Sequence, residues 1–222
     1  MFKVQRSRDQ RLLVPKCREF LLRAPDRSGR TQQQPKENRH MDGTTGNLTS
    51  LLDREAIRDC VARVARGEDR RDAELLRGAY WPDATDDHGI FVGTFIEYLA
   101  WVVPGAPAVL LTQHTLGQSL IDLRGQRALV ETHVTAYHRI DMGADHRDVV
   151  IGGRYLDVME KREGEWRIAN RTMLYDWQQD YGRSVDWSNG LLGMPFINAH
   201  AMGSTTSDHS TALFNRFASQ KI

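Results

Sequence analysis

The stretch LTQHTLGQSL, residues 111–120, has the make-up of a β-strand but carries a histidine, His114, near its start. An imidazole facing an apolar interior costs free energy unless a partner satisfies it. Two other segments can supply partners. In EWRIANRTMLYDW, residues 165–177, alternation puts Trp166, Ile168, Asn170, Thr172 and Leu174 on one face. Arg167, Ala169, Arg171, Met173, Tyr175 and Trp177 take the other face, because successive side chains of a strand point to opposite sides. Arg171, flanked there by Ala169, Met173 and an aromatic, reads as facing inward. The charged run ARGEDRRD adds a carboxylate, Asp69, where a helix stops over the sheet. His114, Arg171 and Asp69 together form a sensible buried polar set.

Other residues could join them. His133 and His138 lie five apart in the next strand, so they face opposite sides and at most one shares a cavity with His114. Tyr80, Trp81, Tyr98, Trp101, Met173 and Tyr175 come from elements that would line or close a hollow. A mostly apolar cavity with a few convergent polar groups is the usual form of a small-molecule site. His88, in DDHG, reads as a structural or rim residue. None of the eight histidines sits in a HExxH or comparable cluster, so no metal is expected. Cys60 lies on an apolar helical stripe and reads as a small buried hydrophobe. The pair Gly152-Gly153 falls in mid-strand and marks a bend or bulge.

The elements that must carry these residues are legible from periodicity. In TSLLDREAIRDCVARVARGED, Leu52, Ala56, Ile57, Cys60, Val61, Val64 and Ala65 recur at helical spacing, opposite Arg54, Arg58, Arg63 and Arg66. Ser50 and Asp53 have the spacing of a capping box, and Gly67 reads as the terminator. A short helix fits RDAELLRGAYW, stopped at Trp81-Pro82, and two extended pieces flank Gly89. A third helix fits TFIEYLAWVV, capped by Thr94 and ended at Pro104-Gly105. Residues 110–122, 127–140, 148–161 and 165–177 are strand-like runs joined by short turns. Helices first and hairpins after predict an α+β domain over residues 48–177, with a curved, mostly antiparallel sheet whose hollow the N-terminal helices close into a cone. Residues 178–222 hold enough large apolar side chains to read as an arm or lid.

The chain has 222 residues and a net charge of +1. Residues 1–40 carry eleven Lys and Arg against four Asp and Glu, so the remainder is acidic. An acidic domain is poorly suited to phosphate backbones, which argues against a nucleic-acid partner. The basic segment, residues 1–47, reads as a disordered extension without the apolar core of a signal peptide. No run of about twenty apolar residues is present, so no membrane span is expected. Two cysteines at Cys17 and Cys60 make no disulfide framework, and a cytoplasmic setting fits best.

The combination of a helix ending in GEDRR, a strand with QHTLG and a late WRIANR strand resembles the SnoaL-like branch of the nuclear-transport-factor-two-like superfamily. The phrase DATDDHGIFVG is similar to one frequent in uncharacterised relatives. Catalytic members of the superfamily include scytalone dehydratase and hexachlorocyclohexane dehydrochlorinase. The resemblance implies a catalytic set of Asp69, His114 and Arg171. His114 would be the general base, Asp69 would fix its tautomer and stabilise the imidazolium, and Arg171 would steady charge on a leaving group or enolate. It further implies a lyase that needs no cofactor, a small hydrophobic or aromatic substrate and a homo-oligomer, dimer or trimer. A dehydrochlorinase lysine one turn before the aspartate is replaced by Val64, which points away from halide loss. Elimination of water, or aldehyde-releasing deformylation of a lignin-derived aromatic, stays open. Other readings are an isomerase or hydrolase on the same scaffold, or a non-catalytic ligand-binding or dimerisation module.

Overall fold

A computed structural model of the chain describes residues 48–186, 190–197 and 208–220, so the expected basic extension lies outside the described residues. The helix α1 spans Leu48–Arg70 and α2 spans Ala73–Arg77. Strands β1 (Tyr80–Asp87) and β2 (Val92–Thr94) follow, then helix α3 (Phe95–Val102). Four long strands come next: β3 (Val109–Arg124), β4 (Arg127–Asp141), β5 (His146–Arg162) and β6 (Glu165–Arg183). A C-terminal helix, α4, spans His209–Ala218. The six strands form one sheet in the order β2-β1-β6-β5-β4-β3. Every pairing is antiparallel except the parallel β1–β6 contact. This is the α+β arrangement that helices followed by hairpins predict. No described helix is long and apolar enough to cross a membrane.

The core lies between α1, α3 and one face of the sheet. Ile57, Cys60, Val61 and Val64 from α1 meet Tyr80, Tyr98, Val130, Met159 and Ile168. Cys60 is fully buried, its thiol donates to the Ala79 carbonyl, and burial pushes its pKa up to about 11. It is a packing residue rather than a nucleophile.

The structure corrects four details of the sequence reading. Helix α1 does not stop at Gly67. It runs to Arg70, and a Cβ on Gly67 would lie 2.8 Å from the Leu76 side chain, so the glycine admits α2 rather than ending α1. The helix closes instead with Asp72 N–H bonded to Gly67 O and Arg71 N–H to Glu68 O, a Schellman pattern. Arg71 takes the left-handed conformation at φ 54°. Its guanidinium holds the Pro104 and Val109 carbonyls, both at 2.6 Å, so tertiary bonds maintain a conformation usually left to glycine. Asp53 accepts from Lys161 (2.7 Å) and the Trp166 indole (2.9 Å), tying the start of α1 to the β5–β6 hairpin. Trp81-Pro82 does not end a helix, because α2 already stops at Gly78 and both residues belong to β1.

The fourth correction decides the site. Alternation along β6 separates Trp166 and Ile168 from Arg171 and Met173, yet all four are buried. The β5–β6 register shifts between Val158–Asn170 and Met159–Ile168, so one extra residue, Ala169, is bulged out. A one-residue bulge reverses which side chains face the core beyond it. A second shift falls at Gly152-Gly153, opposite Tyr175 and Trp177. There the Trp177 ring lies over Gly152, and a Cβ on Gly153 would stand 2.1 Å from the Leu174 carbonyl oxygen. Strand β6 also continues past Trp177 to Arg183, so part of the expected arm is sheet. Helix α4 docks on α1 through Arg70–Asp208 (3.1 Å) and Arg66 over the Phe214 ring (5.2 Å).

Replacing Gly153 by Ala forces the β5–β6 bulge apart. We expect a loss of about 1–3 kcal/mol, the usual cost of overpacking, read from the urea midpoint.

Candidate active site

Between α1, α3 and the sheet lies a cavity of about 340 Å³. Val102, Val109, Ile140, Val149 and Met173 supply apolar wall, and Tyr98, Trp101 and Tyr175 supply rings. The polar groups reaching it include Glu68, His88, His114, His138 and Tyr155.

His114 is held from both sides. Its Nδ1 lies 2.7 Å from Asp69 Oδ1, and its backbone N–H reaches both Asp69 oxygens at 3.0–3.1 Å. Asp69 therefore fixes the ring and the strand together, and stands behind His114 rather than in the cavity wall. The Nε2 atom faces Glu68 Oε2 at 3.3 Å. Burial disfavours the imidazolium, but the Glu68 charge and the Asp69 hydrogen bond outweigh it, and the His114 pKa is raised.

Glu68 escaped the sequence reading. It sat in a charged run past the presumed end of the helix, yet it follows Val61 and Val64 by seven and four positions and extends the buried stripe. Only 6% of its surface is exposed. The Tyr98 hydroxyl donates to it at 2.5 Å and the Tyr155 hydroxyl at 3.4 Å. Burial, with the Glu68 charge adding to it, keeps both phenols protonated far above their ordinary range.

His138 shares the cavity, its ring 6.2 Å from that of His114 in an edge-on arrangement. Burial and the neighbouring His114 lower its pKa. Two adjacent histidines are thus pushed apart in acidity, which is how a site separates acid from base.

Several expected residues lie elsewhere. His133 is on the outer face, half-exposed and 3.9 Å from Glu131, as its opposite parity to His138 requires. Trp81 packs outside the cavity against the Arg162 and Arg167 guanidinia, because alternation turns it away from Tyr80. Tyr80 is fully buried in the core, stacked on Phe95 with centroids 4.9 Å apart. Arg171 is fully buried beneath the cavity wall. It grips Asp157 with two bonds of 2.7 and 2.8 Å and lies 3.9 Å from the Tyr155 ring centroid. Its Nη1 stands 3.9 Å from Glu68 Oε1, so Arg171 meets the site through Glu68 and Tyr155 and does not itself line the cavity. Tyr98, Trp101, His138, Met173 and Tyr175 do line it. Among the described residues, no three His, Cys, Asp or Glu are grouped to hold a metal.

With this geometry in place, the relatives can be compared. The SnoaL-like domain family matches residues 49–172, over half of the chain. The protein belongs to the SnoaL-like domain family. No curated protein matches it in sequence. Among solved structures, a hexachlorocyclohexane dehydrochlorinase from Novosphingobium barchaimii is 19% identical, with 68% of this chain and 99% of that one aligned at a TM-score of 0.54. A protein from Novosphingobium aromaticivorans named as a candidate scytalone dehydratase is 21% identical, covering 67% and 98% at 0.52. A nuclear transport factor 2-like protein from Salmonella enterica is 15% identical, covering 58% and 94% at 0.51. These likenesses establish a shared fold. For a SnoaL-like protein, then, the chemistry rests on its own cavity.

The buried Arg171–Asp157 pair gives a stability test. Arg171→Met strands the Asp157 carboxylate and is expected to cost about 3–5 kcal/mol in urea unfolding, the usual cost of breaking a buried pair. Adding Asp157→Asn should return much of it.

Proposed function

We propose that this SnoaL-like protein is a cofactor-independent lyase that removes water from a small cyclic or aromatic substrate, with His114 as the general base. The observation that carries this reading is the Asp69–His114 pair, 2.7 Å apart, at the wall of an apolar cavity. A C–H proton next to a carbonyl passes to Nε2, which the substrate frees from its longer 3.3 Å contact with Glu68. Asp69 keeps the other nitrogen protonated and stabilises the imidazolium. Charge gathers on the carbonyl oxygen as an enolate, and the Tyr155 hydroxyl, released from its long 3.4 Å bond to Glu68, would donate to it. Arg171, expected from the sequence at the leaving group, instead holds Asp157 and the Tyr155 ring in place. The ring-lined walls at Tyr98, Trp101 and Tyr175 support a flat substrate.

The substrate class can be tested with β-hydroxytetralones, which become fluorescent naphthols on losing water. Hydroxymethyl diaryl compounds in the same screen report aldehyde release by formaldehyde assay, the alternative outcome for the same base. Isomerisation without loss of water, or binding without turnover, would overturn the lyase reading. A homo-oligomer is proposed alongside, read by sedimentation.

The pH profile follows from the raised His114 pKa. The base form is neutral, so it is depleted until the pH passes a value above the ordinary 6.5. The acidic limb of kcat/KM should therefore lie above 6.5. Glu68→Gln removes a charge that favours the imidazolium, so the limb should move to lower pH. Asp69→Asn should also cost roughly 10²–10⁴-fold in kcat, the usual weight of a positioned base.

A further inference from the structure

A second histidine–carboxylate pair reaches the same cavity. His88 follows β1 in the turn to β2, and its Nδ1 is bonded to Asp86 Oδ1. Asp86 is 1% exposed and accepts the Tyr80 hydroxyl on its other oxygen at 2.9 Å. Neither Asp86 nor Tyr80 lines the cavity, whereas His88 does. The His88 ring stacks on Tyr98, centroids 5.3 Å apart, and meets Trp101 edge-on at 5.7 Å.

The backbone around it is equally fixed. His88 N–H bonds to the Phe91 carbonyl, and the Tyr175 hydroxyl donates to the His88 carbonyl at 2.9 Å. Gly89 takes φ 72° to make the turn, with its N–H on the Asp87 carboxylate. A ring held by a buried carboxylate, two aromatic neighbours and a pinned turn is oriented. Its Nε2 has no partner among the described residues. A ring nitrogen left open at a cavity wall can hydrogen-bond to whatever occupies the cavity. Oriented with one nitrogen unused at a cavity wall, it has the form of a proton donor or acceptor waiting for substrate.

We propose that His88 is a second catalytic residue, the general acid that protonates the leaving oxygen, with Asp86 and Tyr80 as its positioning residues. The step rests on the elimination reading above. The C–H bond breaks as His114 Nε2 takes the proton, and its electron pair passes into the enolate. That pair then forms the C=C bond as the C–O bond breaks. The leaving oxygen keeps the C–O electron pair and takes the proton from His88 Nε2, departing as water. Both histidines return to their starting states by proton exchange with solvent. Atoms and charge balance without an oxidant, a reductant or a co-reactant.

The test compares two leaving groups on one skeleton. A hydroxide needs a proton to leave, whereas acetate does not. Wild-type protein, His88→Gln, His88→Asn and His114→Gln are assayed on β-hydroxy and β-acetoxy tetralones and indanones, with the melting midpoint of each variant recorded. We expect both His88 variants to lose roughly 10²–10⁴-fold in kcat on the hydroxy substrates. On the acetoxy substrates they should stay within about tenfold of wild type. His114→Gln should lose both reactions. Equal loss on both leaving groups in the folded His88 variants would assign His88 a structural role and overturn the proposal. Undiminished turnover of the hydroxy substrates would overturn it as well. Either result leaves the lyase reading standing. If wild-type protein turns over neither series, the lyase reading fails and takes this one with it.

Discussion

The attachment of Asp69 to His114 is the constraint on which the site depends. One carboxylate at the end of α1 binds both the backbone N–H and the side-chain Nδ1 of a residue in β3. A helix end and a strand are thereby locked in register by a single group. Residues two positions to either side of Asp69 shape the end of the helix. Arg71, in a left-handed conformation, closes the helix with its N–H on Glu68 O and braces the α3–β3 connection through two short guanidinium bonds. Gly67 lets α2 approach closely enough to finish the turn.

Beneath the cavity the sheet carries a row of buried charge. Asp86, Arg171 and Asp157 are register partners across β1, β6 and β5. Glu68 reaches toward the same arginine from the helix above. Such a row is expensive to desolvate and adds little net stability compared with apolar packing of the same volume. Its effect is positional. The arginine holds Tyr155, and the carboxylates hold Tyr80, Tyr98, His88 and His114. Acidity is divided by the same means, since charge raises His114 while burial and that neighbour lower His138.

Much of this was legible beforehand. The helical stripe of α1, the cap of α3 at Thr94 and the hairpin order of the long strands follow from local period and turn chemistry. So did the candidates His114 and Asp69, because a histidine in an apolar strand and a carboxylate at a helix end are anomalies of type and place. Alternation puts Arg171 and Met173 on one inward face, as found, but sets Trp166 and Ile168 on the opposite face although they are buried too. The Ala169 bulge exchanges the faces of β6, and a bulge depends on the partner strand, which alternation within one strand does not report. Glu68 was hidden by a wrong helix end, because Gly67 carries the signature of a terminator and only contact with Leu76 shows its other use.

By itself, then, the sequence determined the class of fold, the order of its elements and the presence of titratable groups in apolar surroundings. Those properties are written in periods of two and 3.6 residues and in local turn chemistry. The tertiary structure alone decided which groups meet. It set Glu68 on the far side of His114, took Tyr80 and Trp81 out of the cavity, turned His138 in and His133 out, and paired His88 with Asp86. Distances between residues 45 or 87 positions apart are set by register and packing across the sheet, and no local pattern encodes them.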